Sequence, residues 1–183
     1  MELILASKSP RRQELLGLLG LPFTVRVADI DETLSPCPPE EAVGQLSRKK
    51  AEAVPRTDRE IVIGADTIVV LDEQILGKPA DKEDAFRMLQ FLSGRRHQVM
   101  TGVTVLQGDR AVTVTEVTEV SFRPLEPQEI LNYIASGDPM DKAGSYGIQS
   151  GGALFVDGIC GDYYNVVGLP VCRLHQILKE FMA

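Results

Sequence analysis

The sequence predicts an α/β protein built around a mixed sheet, and three patterns support this class. Short apolar runs alternate with amphipathic segments along the first half of the chain, in the order β-α-α-β-α. Residues 61–71 form a continuous run rich in β-branched residues, which is typical of a strand covered on both faces. Two further strand-like runs, at 99–106 and 111–122, are joined by a Gln-Gly-Asp-Arg turn typical of a hairpin. Parallel and antiparallel strands are therefore expected in one sheet.

The first strand and the first helix are predicted from the N-terminal residues. Residues 2–6 are a short apolar run typical of a buried strand. Ser9 is a preferred residue type for an N-cap, and Pro10 suits the first helical position. The apolar stripe that follows is expected to end at Gly20. The chain should therefore run from a strand directly into a helix.

The later elements are predicted in the same way. They are a helix over about residues 39–54 after an exposed proline-rich loop at 35–39, a helix capped by Asp81 and ended by Ser93-Gly94, a helix near 127–136, a short strand near 154–156 and a C-terminal helix from about Pro170. The stretch 138–152 is rich in glycine, and its part 144–152 is expected to be too rich in glycine for a buried element. No repeat or linker divides the sequence, so one domain over residues 1–183 is expected.

Composition narrows the class of protein. The chain of 183 residues is 44% hydrophobic and 25% charged, as in ordinary globular domains. Its net charge of −7 opposes nonspecific attraction to nucleic acid. An acidic N-terminus without a signal-peptide pattern, and the lack of an apolar run of about 20 residues, predict a cytoplasmic protein that does not enter membranes.

The cysteines and histidines suggest neither a disulfide framework nor a metal site of their own. Cys37, Cys160 and Cys172 are an odd number without C-x-x-C spacing, so reduced thiols are expected. His97 and His175 have no shared helical spacing, and neither is interpreted as a metal ligand.

The entry of the first helix is a candidate phosphate site. Ser7, Ser9, Arg11 and Arg12 place two hydroxyls and two guanidinium groups there. The first turn of a helix offers unpaired N–H groups and the positive end of the dipole, and arginine adds bidentate donors for phosphate. The alternative is a solvated first turn that Ser9 merely caps.

Asp66 is the sharpest single signal in the sequence. A carboxylate within the apolar run 61–71 must be paired, bound to a metal or placed in a cleft to offset its desolvation. Gly64 and Ala65 leave room for a ligand to approach. The alternative is a strand that ends at Ile63 and is followed by a surface turn.

Two further segments could contact a nucleotide. Lys78, held between Gly77 and Pro79, suits a point charge for phosphate, although lysines beside turns are common. Gln149 lies in the glycine-rich segment 144–152, and its amide could read a base edge, unless the segment is a plain surface loop. Taken alone, Asp31-Glu32 and Lys49-Lys50 are typical of solvated charges.

Together these segments resemble the Maf family of nucleotide pyrophosphatases, in order and over essentially the whole chain. The residues that carry the resemblance are Leu5-Ala-Ser-Lys-Ser-Pro-Arg-Arg12, Lys50-Ala51, Ile63-Gly-Ala-Asp-Thr67, Gly77-Lys-Pro79, Leu92-Ser-Gly94 with His97, Thr101-Gly-Val103, Asp141-Lys-Ala-Gly144, Ile148-Gln149 and Asn165-Val-Val-Gly-Leu-Pro170. Lys8 stands where a smaller residue is frequent in the family.

The resemblance implies a two-lobed α/β fold with a mixed sheet and a central cleft, similar to the inosine triphosphate pyrophosphatases. It implies that Asp66 is the general base and that the substrate is a nucleoside triphosphate, cleaved to monophosphate and pyrophosphate. The substrate-binding residues that it implies are Ser7, Ser9, Arg11, Arg12, Lys50, Thr67, Lys78 and Gln149. Glu32 and Asp66 are expected to hold a divalent cation, Mg²⁺ in the first place and Mn²⁺ as the alternative.

Within the family, the chain resembles the branch that hydrolyses dTTP and UTP. Arg11, Thr67 and Gln149 match the positions associated with that choice. Two alternatives stay open at this point: a pyrophosphatase that prefers purine nucleotides, and a nucleotide-binding regulator of cell division without turnover. A homodimer is consistent with the resemblance, but no sequence pattern fixes an interface.

Overall fold

The chain alternates strands and helices as predicted, in a computed structural model that describes residues 2–183. The strands are β1 (Glu2–Leu5), β2 (Phe23–Val25), β3 (Glu60–Leu71), β4 (Gln74–Leu76), β5 (Arg96–Gln107), β6 (Arg110–Phe122) and β7 (Val156–Cys160). The helices are α1 (Pro10–Gly17), α2 (Pro39–Glu52), α3 (Lys82–Leu92), α4 (Pro127–Ala135), α5 (Tyr163–Val167) and α6 (Val171–Met182).

The sheet is mixed, which confirms the predicted fold class. The strand order is β2-β1-β3-β5-β6-β7, with β4 paired to β3. Strand β1 is parallel to both β2 and β3, whereas β4 is antiparallel to β3 and β7 is antiparallel to β6. Long-range parallel pairing at the N-terminal strands therefore coexists with short antiparallel pairing later in the chain.

The chain packs as two compact units. The first unit consists of the chain up to Thr67 together with Thr101–Glu116 and Tyr164–Ala183, and the second consists of Ile68–Met100 and Val117–Tyr163. One core cluster of the first unit is formed by small and aliphatic side chains from strands, from helix α2 and from residues just after β1 and α2, namely Ile4, Ala6, Ala51, Val54, Val62 and Leu106.

Two glycines let helix α2 lie unusually close to its sheet in the first unit. A Cβ atom on Gly64 of β3 would be 2.2 Å from the Ser47 carbonyl oxygen, and one on Gly102 of β5 would be 2.3 Å from the Val43 carbonyl oxygen. Both acceptors belong to the backbone of α2, which a side-chain rotation cannot move away. No residue other than glycine fits at either position without displacing the helix.

Aromatic rings form the centre of the second unit. His97 and Tyr146 both pack edge-on against Phe122, with ring centroids 4.9 and 4.7 Å away. Phe155 joins the same cluster and also contacts Tyr133 of α4. Helix α3 packs against α4, and its buried side chains Ala85, Leu89 and Leu92 follow the predicted helical spacing.

The helix caps behave largely as predicted. The Ser9 and Asp81 side chains accept hydrogen bonds from the N–H groups of Arg12 and Asp84, three residues further on. Helix α1, however, ends at Gly17 rather than at Gly20. The two residues that follow continue as a tighter turn, and Gly20 completes it with a left-handed φ of 67°.

Two predictions about the later part of the chain are wrong. The last strand begins at Val156, not Leu154, because Gly151–Leu154 form a 3-10 turn in which Leu154 is exposed. Residues 144–148 are buried rather than exposed, because glycines permit the close contacts that burial needs. At Gly144, with φ of 67°, an added Cβ would be 2.7 Å from the Val69 side chain.

Three short elements have no counterpart in the prediction. They are β2, β4 and α5, which have three, three and five residues. Such lengths are too short for a periodic pattern to develop. Cys37, Cys160 and Cys172 are free thiols, as predicted. Within residues 2–183, no helix is long and apolar enough to cross a membrane.

Because His97 is buried, we predict that the protein loses stability in acid. Its Nε2 atom lies 2.8 Å from the Tyr146 hydroxyl, and burial lowers the pKa of His97 to about 4. Between that pKa and the value of about 6.5 in an unfolded chain, the unfolded state binds the extra proton, so stability falls as pH falls. This group alone should cost about 2 kcal/mol of unfolding free energy at about pH 5 relative to about pH 7.5.

Urea unfolding of wild type and His97→Phe at these two pH values measures the effect. The variant should lose clearly less stability in acid, because phenylalanine does not titrate. His175→Gln keeps His97 and is the control: it should retain the part of the acid sensitivity that His97 causes. An equal acid sensitivity in wild type and His97→Phe would contradict the assignment.

Candidate functional site

Asp66 lies on an unbroken inner strand. Strand β3 continues through Asp66 to Leu71, and its neighbours Ile63, Ala65 and Ile68 are buried. The alternative of a surface turn after Ile63 is therefore wrong. The Asp66 side chain keeps 14% of its surface exposed, so the carboxylate is largely desolvated but still reachable.

Lys50 of helix α2 pairs with this carboxylate. Its Nζ atom donates a hydrogen bond to Asp66 Oδ1 at 2.5 Å and lies 2.9 Å from Glu32 Oε1. The close seat of α2 on Gly64 brings the lysine within reach of the strand. Two carboxylates from distant parts of the chain thus converge on one ammonium group, which offsets the cost of desolvating Asp66.

Glu32 is held in place by the segment around it. Lys49 Nζ donates to the carbonyl oxygens of Thr33 at 2.8 Å and of Asp31 at 3.4 Å. The Asp31 side chain in turn accepts a hydrogen bond from the Thr33 N–H at 2.9 Å. The local interpretation of a merely solvated charge is therefore wrong for Lys50, whereas Glu32 stays 60% exposed although it is paired. Only the family resemblance pointed to these two residues.

Arg12 is fixed by three hydrogen bonds within the first unit. Its Nε atom donates to the Gly168 carbonyl oxygen at 2.9 Å, Nη2 donates to the Thr67 hydroxyl at 2.9 Å, and Nη1 donates to the Ser7 hydroxyl at 3.3 Å. The Ser7 hydroxyl also accepts from the Ser9 N–H at 3.2 Å. Arg12 therefore ties α1, β3 and the chain after α5 together.

Burial and the neighbouring charges both affect the pKa of Arg12. Burial is the largest influence and lowers the pKa of Arg12, while the Asp66 carboxylate opposes this shift. The neighbouring guanidinium of Arg11 adds to the lowering, and Glu32 opposes it. The charges of the helix entry and of the acidic pair thus influence each other. Arg11 itself is partly exposed on the first turn of α1.

A chain of hydroxyl groups supports Thr67, the residue after Asp66. The Thr67 and Thr101 hydroxyls are 2.9 Å apart, and the Thr101 hydroxyl donates to the Asn165 carbonyl oxygen at 3.1 Å. Sequence reasoning assigned no role to Thr101 or Gly168. The signal was nevertheless there, because both lie in motifs that carry the family resemblance.

Lys78 and Gln149 belong to the second unit, and both side chains are exposed. The turn that holds Lys78 is joined to the start of the glycine-rich segment, since the Gly144 N–H donates to the Gly77 carbonyl oxygen at 3.0 Å. The structure therefore links the two segments that were predicted separately as nucleotide contacts.

Fold and site together define an α/β protein with a basic, serine-lined helix entry beside a lysine-bridged carboxylate pair. The chain belongs to the family of Maf-like proteins, whose family model matches residues 2–181. This confirms the resemblance inferred from the motifs.

Two bacterial relatives are similar over nearly their whole length. A dTTP/UTP pyrophosphatase of Bacillus anthracis is 51% identical over 182 residues, covering 98% of this chain and 95% of the relative. A dTTP/UTP pyrophosphatase of Symbiobacterium thermophilum is 52% identical, with 98% and 94% covered. Among solved structures, a HAM1 protein from Coxiella burnetii aligns with a TM-score of 0.53 at 15% identity, covering 98% and 99% of the two chains. That likeness concerns the fold.

The contacts of Arg12 predict a structural role that can be measured without a nucleotide. In Arg12→Lys, the single ammonium group cannot serve Gly168, Ser7 and Thr67 together, so we expect a loss of about 1–3 kcal/mol in unfolding free energy. Glu14→Gln, at an exposed position of the same helix, is the control and should change stability by less than about 0.5 kcal/mol. Urea unfolding measures both. Equal stability of Arg12→Lys and wild type would mean that these bonds contribute nothing.

Proposed function

We propose that the protein is a nucleoside triphosphate pyrophosphatase that hydrolyses dTTP and UTP to the monophosphate and pyrophosphate. The observation that carries the proposal is the convergence of Asp66 and Glu32 on Lys50, next to the basic entry of α1. Relatives named dTTP/UTP pyrophosphatases, about half identical over nearly the full length, support the substrate.

Asp66 acts as the general base in this reaction. Its carboxylate accepts a proton from the water whose oxygen attacks the α-phosphorus. The bond from that phosphorus to the bridging oxygen then breaks, and pyrophosphate leaves with the bonding electrons. Lys50 restrains the carboxylate through its hydrogen bond and adds positive charge where the reacting phosphate develops negative charge.

The donors available fit a divalent cation. Glu32 and Asp66 would hold it, because their carboxylate oxygens already converge on one positive charge and hard oxygen ligands suit Mg²⁺, with Mn²⁺ as the alternative. Within residues 2–183, no cluster of three or more acidic, histidine or cysteine side chains offers a site made by the protein alone. Phosphate oxygens and water would therefore complete the coordination. When bound, the cation supplies neutralising charge along the phosphates.

The remaining polar residues bind the triphosphate and select the base. Ser9 and Arg11 bind phosphate oxygens at the N-terminus of α1, where backbone N–H groups and the helix dipole favour an anion. Ser7, Arg12 and Thr67 combine that role with the structural bonds already described, and Lys78 adds a further phosphate contact. Arg11, Thr67 and Gln149 set the preference for dTTP and UTP. A cytoplasmic location and a homodimer stay predictions.

A nucleotide panel with and without magnesium tests the proposal. Purified protein should release pyrophosphate from dTTP and UTP faster than from ITP, GTP, ATP or CTP, and EDTA should abolish the release. A preference for ITP or GTP would contradict the proposal and favour a pyrophosphatase that prefers purine nucleotides. Binding of nucleotides without turnover at any magnesium concentration would favour the regulator instead.

Asp66→Asn tests the general base directly. The amide has the same size but cannot accept the proton and holds a cation poorly, so turnover should fall by on the order of 100-fold or more. Asp58→Asn changes an exposed acid of the same unit and should leave the rate within twofold of wild type, as about 0.4 kcal/mol or less in the barrier implies. Near-normal turnover in folded Asp66→Asn would remove Asp66 from catalysis.

A further inference from the structure

A polar network in the second unit holds the segment that carries Gln149. The Tyr133 hydroxyl donates to Asp138 Oδ2 at 2.5 Å and accepts from the Gly147 N–H at 3.0 Å. The Ser150 hydroxyl donates to the same Asp138 oxygen at 2.5 Å. The Tyr133–Asp138 pair therefore holds the segment on both sides of Gln149, at Gly147 and at Ser150.

Lys142 completes this network, which consists of Tyr133, Asp138, Lys142 and Ser150. Its Nζ atom donates to the Asp138 backbone oxygen at 2.6 Å and to Asp138 Oδ1 at 3.0 Å, and the lysine side chain is only 12% exposed. Burial acts to raise the pKa of Asp138, but the hydrogen bonds from Ser150, Tyr133 and Lys142 hold it below its ordinary value. Asp138 is therefore a fixed, charged acceptor.

Close packing leaves the segment little freedom to move. A Cβ atom on Gly147 would be 2.5 Å from the Ser150 hydroxyl oxygen and 2.6 Å from Lys142 Cε, and one on Gly151 would be 2.8 Å from the Tyr133 ring. Gly147 and Ile148 are buried, whereas Gln149 is exposed. Gln149 thus follows directly on packed residues, and the exposed Ser150 after it is held through its hydroxyl.

We propose that Tyr133 and Asp138 are positioning residues for base selection, acting through Gln149. The inference rests on the proposed function and extends it to residues that need not touch the substrate. A glutamine amide distinguishes uracil from cytosine only when its donor and acceptor are aimed at the differing edge, which offers an oxygen acceptor in one base and an amino donor in the other. Loosening the segment should therefore reduce discrimination more than turnover.

Tyr133→Phe provides the test, because it keeps the ring against Phe155 and Gly151 while removing both tethers of the hydroxyl. The measurement is kcat and KM of pyrophosphate release from UTP and from CTP. We expect the ratio of kcat/KM for UTP over CTP to fall about tenfold, mainly through the KM for UTP, with kcat for UTP within about threefold of wild type. A purely structural defect would lower both activities together and leave the ratio unchanged.

A double-mutant cycle with Gln149→Ala tests whether Tyr133 acts through Gln149. Gln149→Ala alone should lower the same ratio, and adding Tyr133→Phe to it should cause no further change. Glu129→Gln is the matched control: Glu129 lies on the same helix as Tyr133, but its 2.7 Å ion pair with Arg123 includes no residue of the network, so the variant should preserve the ratio.

The outcomes separate this inference from the proposed function. An unchanged ratio in folded Tyr133→Phe, or a further fall of the ratio when it is added to Gln149→Ala, would overturn the inference alone. Absence of pyrophosphate release by wild type would overturn the proposed function and the inference with it. If Tyr133→Phe fails to fold, Ser150→Ala removes the other tether and must lower the same ratio for the inference to stand.

Discussion

The ion pair between Lys50 and Asp66 is the interaction on which the candidate site depends. A carboxylate among aliphatic neighbours on an inner strand would be costly without a partner, and the partner has to come from another element. Helix α2 can supply it because Gly64 lets the helix backbone approach the strand. The ion pair therefore depends on the close packing of the helix against the strand. Glu32 adds a second carboxylate to Lys50 at the solvent side.

Arg12 joins distant parts of the first unit through a single side chain. Its guanidinium group bonds a backbone carbonyl that lies 156 residues further along the chain and the hydroxyls of Ser7 and Thr67. The planar group has five donors, so these three bonds do not exhaust it. Part of the donor capacity of the guanidinium group therefore remains outside these structural bonds. Thr67, which directly follows Asp66, is held by one of these bonds.

Much of the fold could be predicted because its signals are local: the caps at Ser9 and Asp81, the β-branched run around Asp66 and the hairpin turn all act over a few residues. Elements of three to five residues escaped because they carry no period. The site was harder to predict from residue patterns. The pairing of Lys50 with Glu32 and the anchoring of Arg12 by Gly168 arise only when distant segments meet, and no local spacing encodes them. The family resemblance placed Lys50 and Glu32 in the site, but neither it nor the residue patterns assigned a role to Gly168.

The paired glycines beneath α2 have a consequence for how this scaffold can change over evolution or in the laboratory. Gly64 and Gly102 each face a main-chain oxygen of the helix. The distance of α2 from the sheet and its position along its own axis are therefore fixed, and with them the position of Lys50. A library built to alter the reaction would gain nothing by varying that junction. Variation is better directed to the segment around Glu32, where most side chains are exposed.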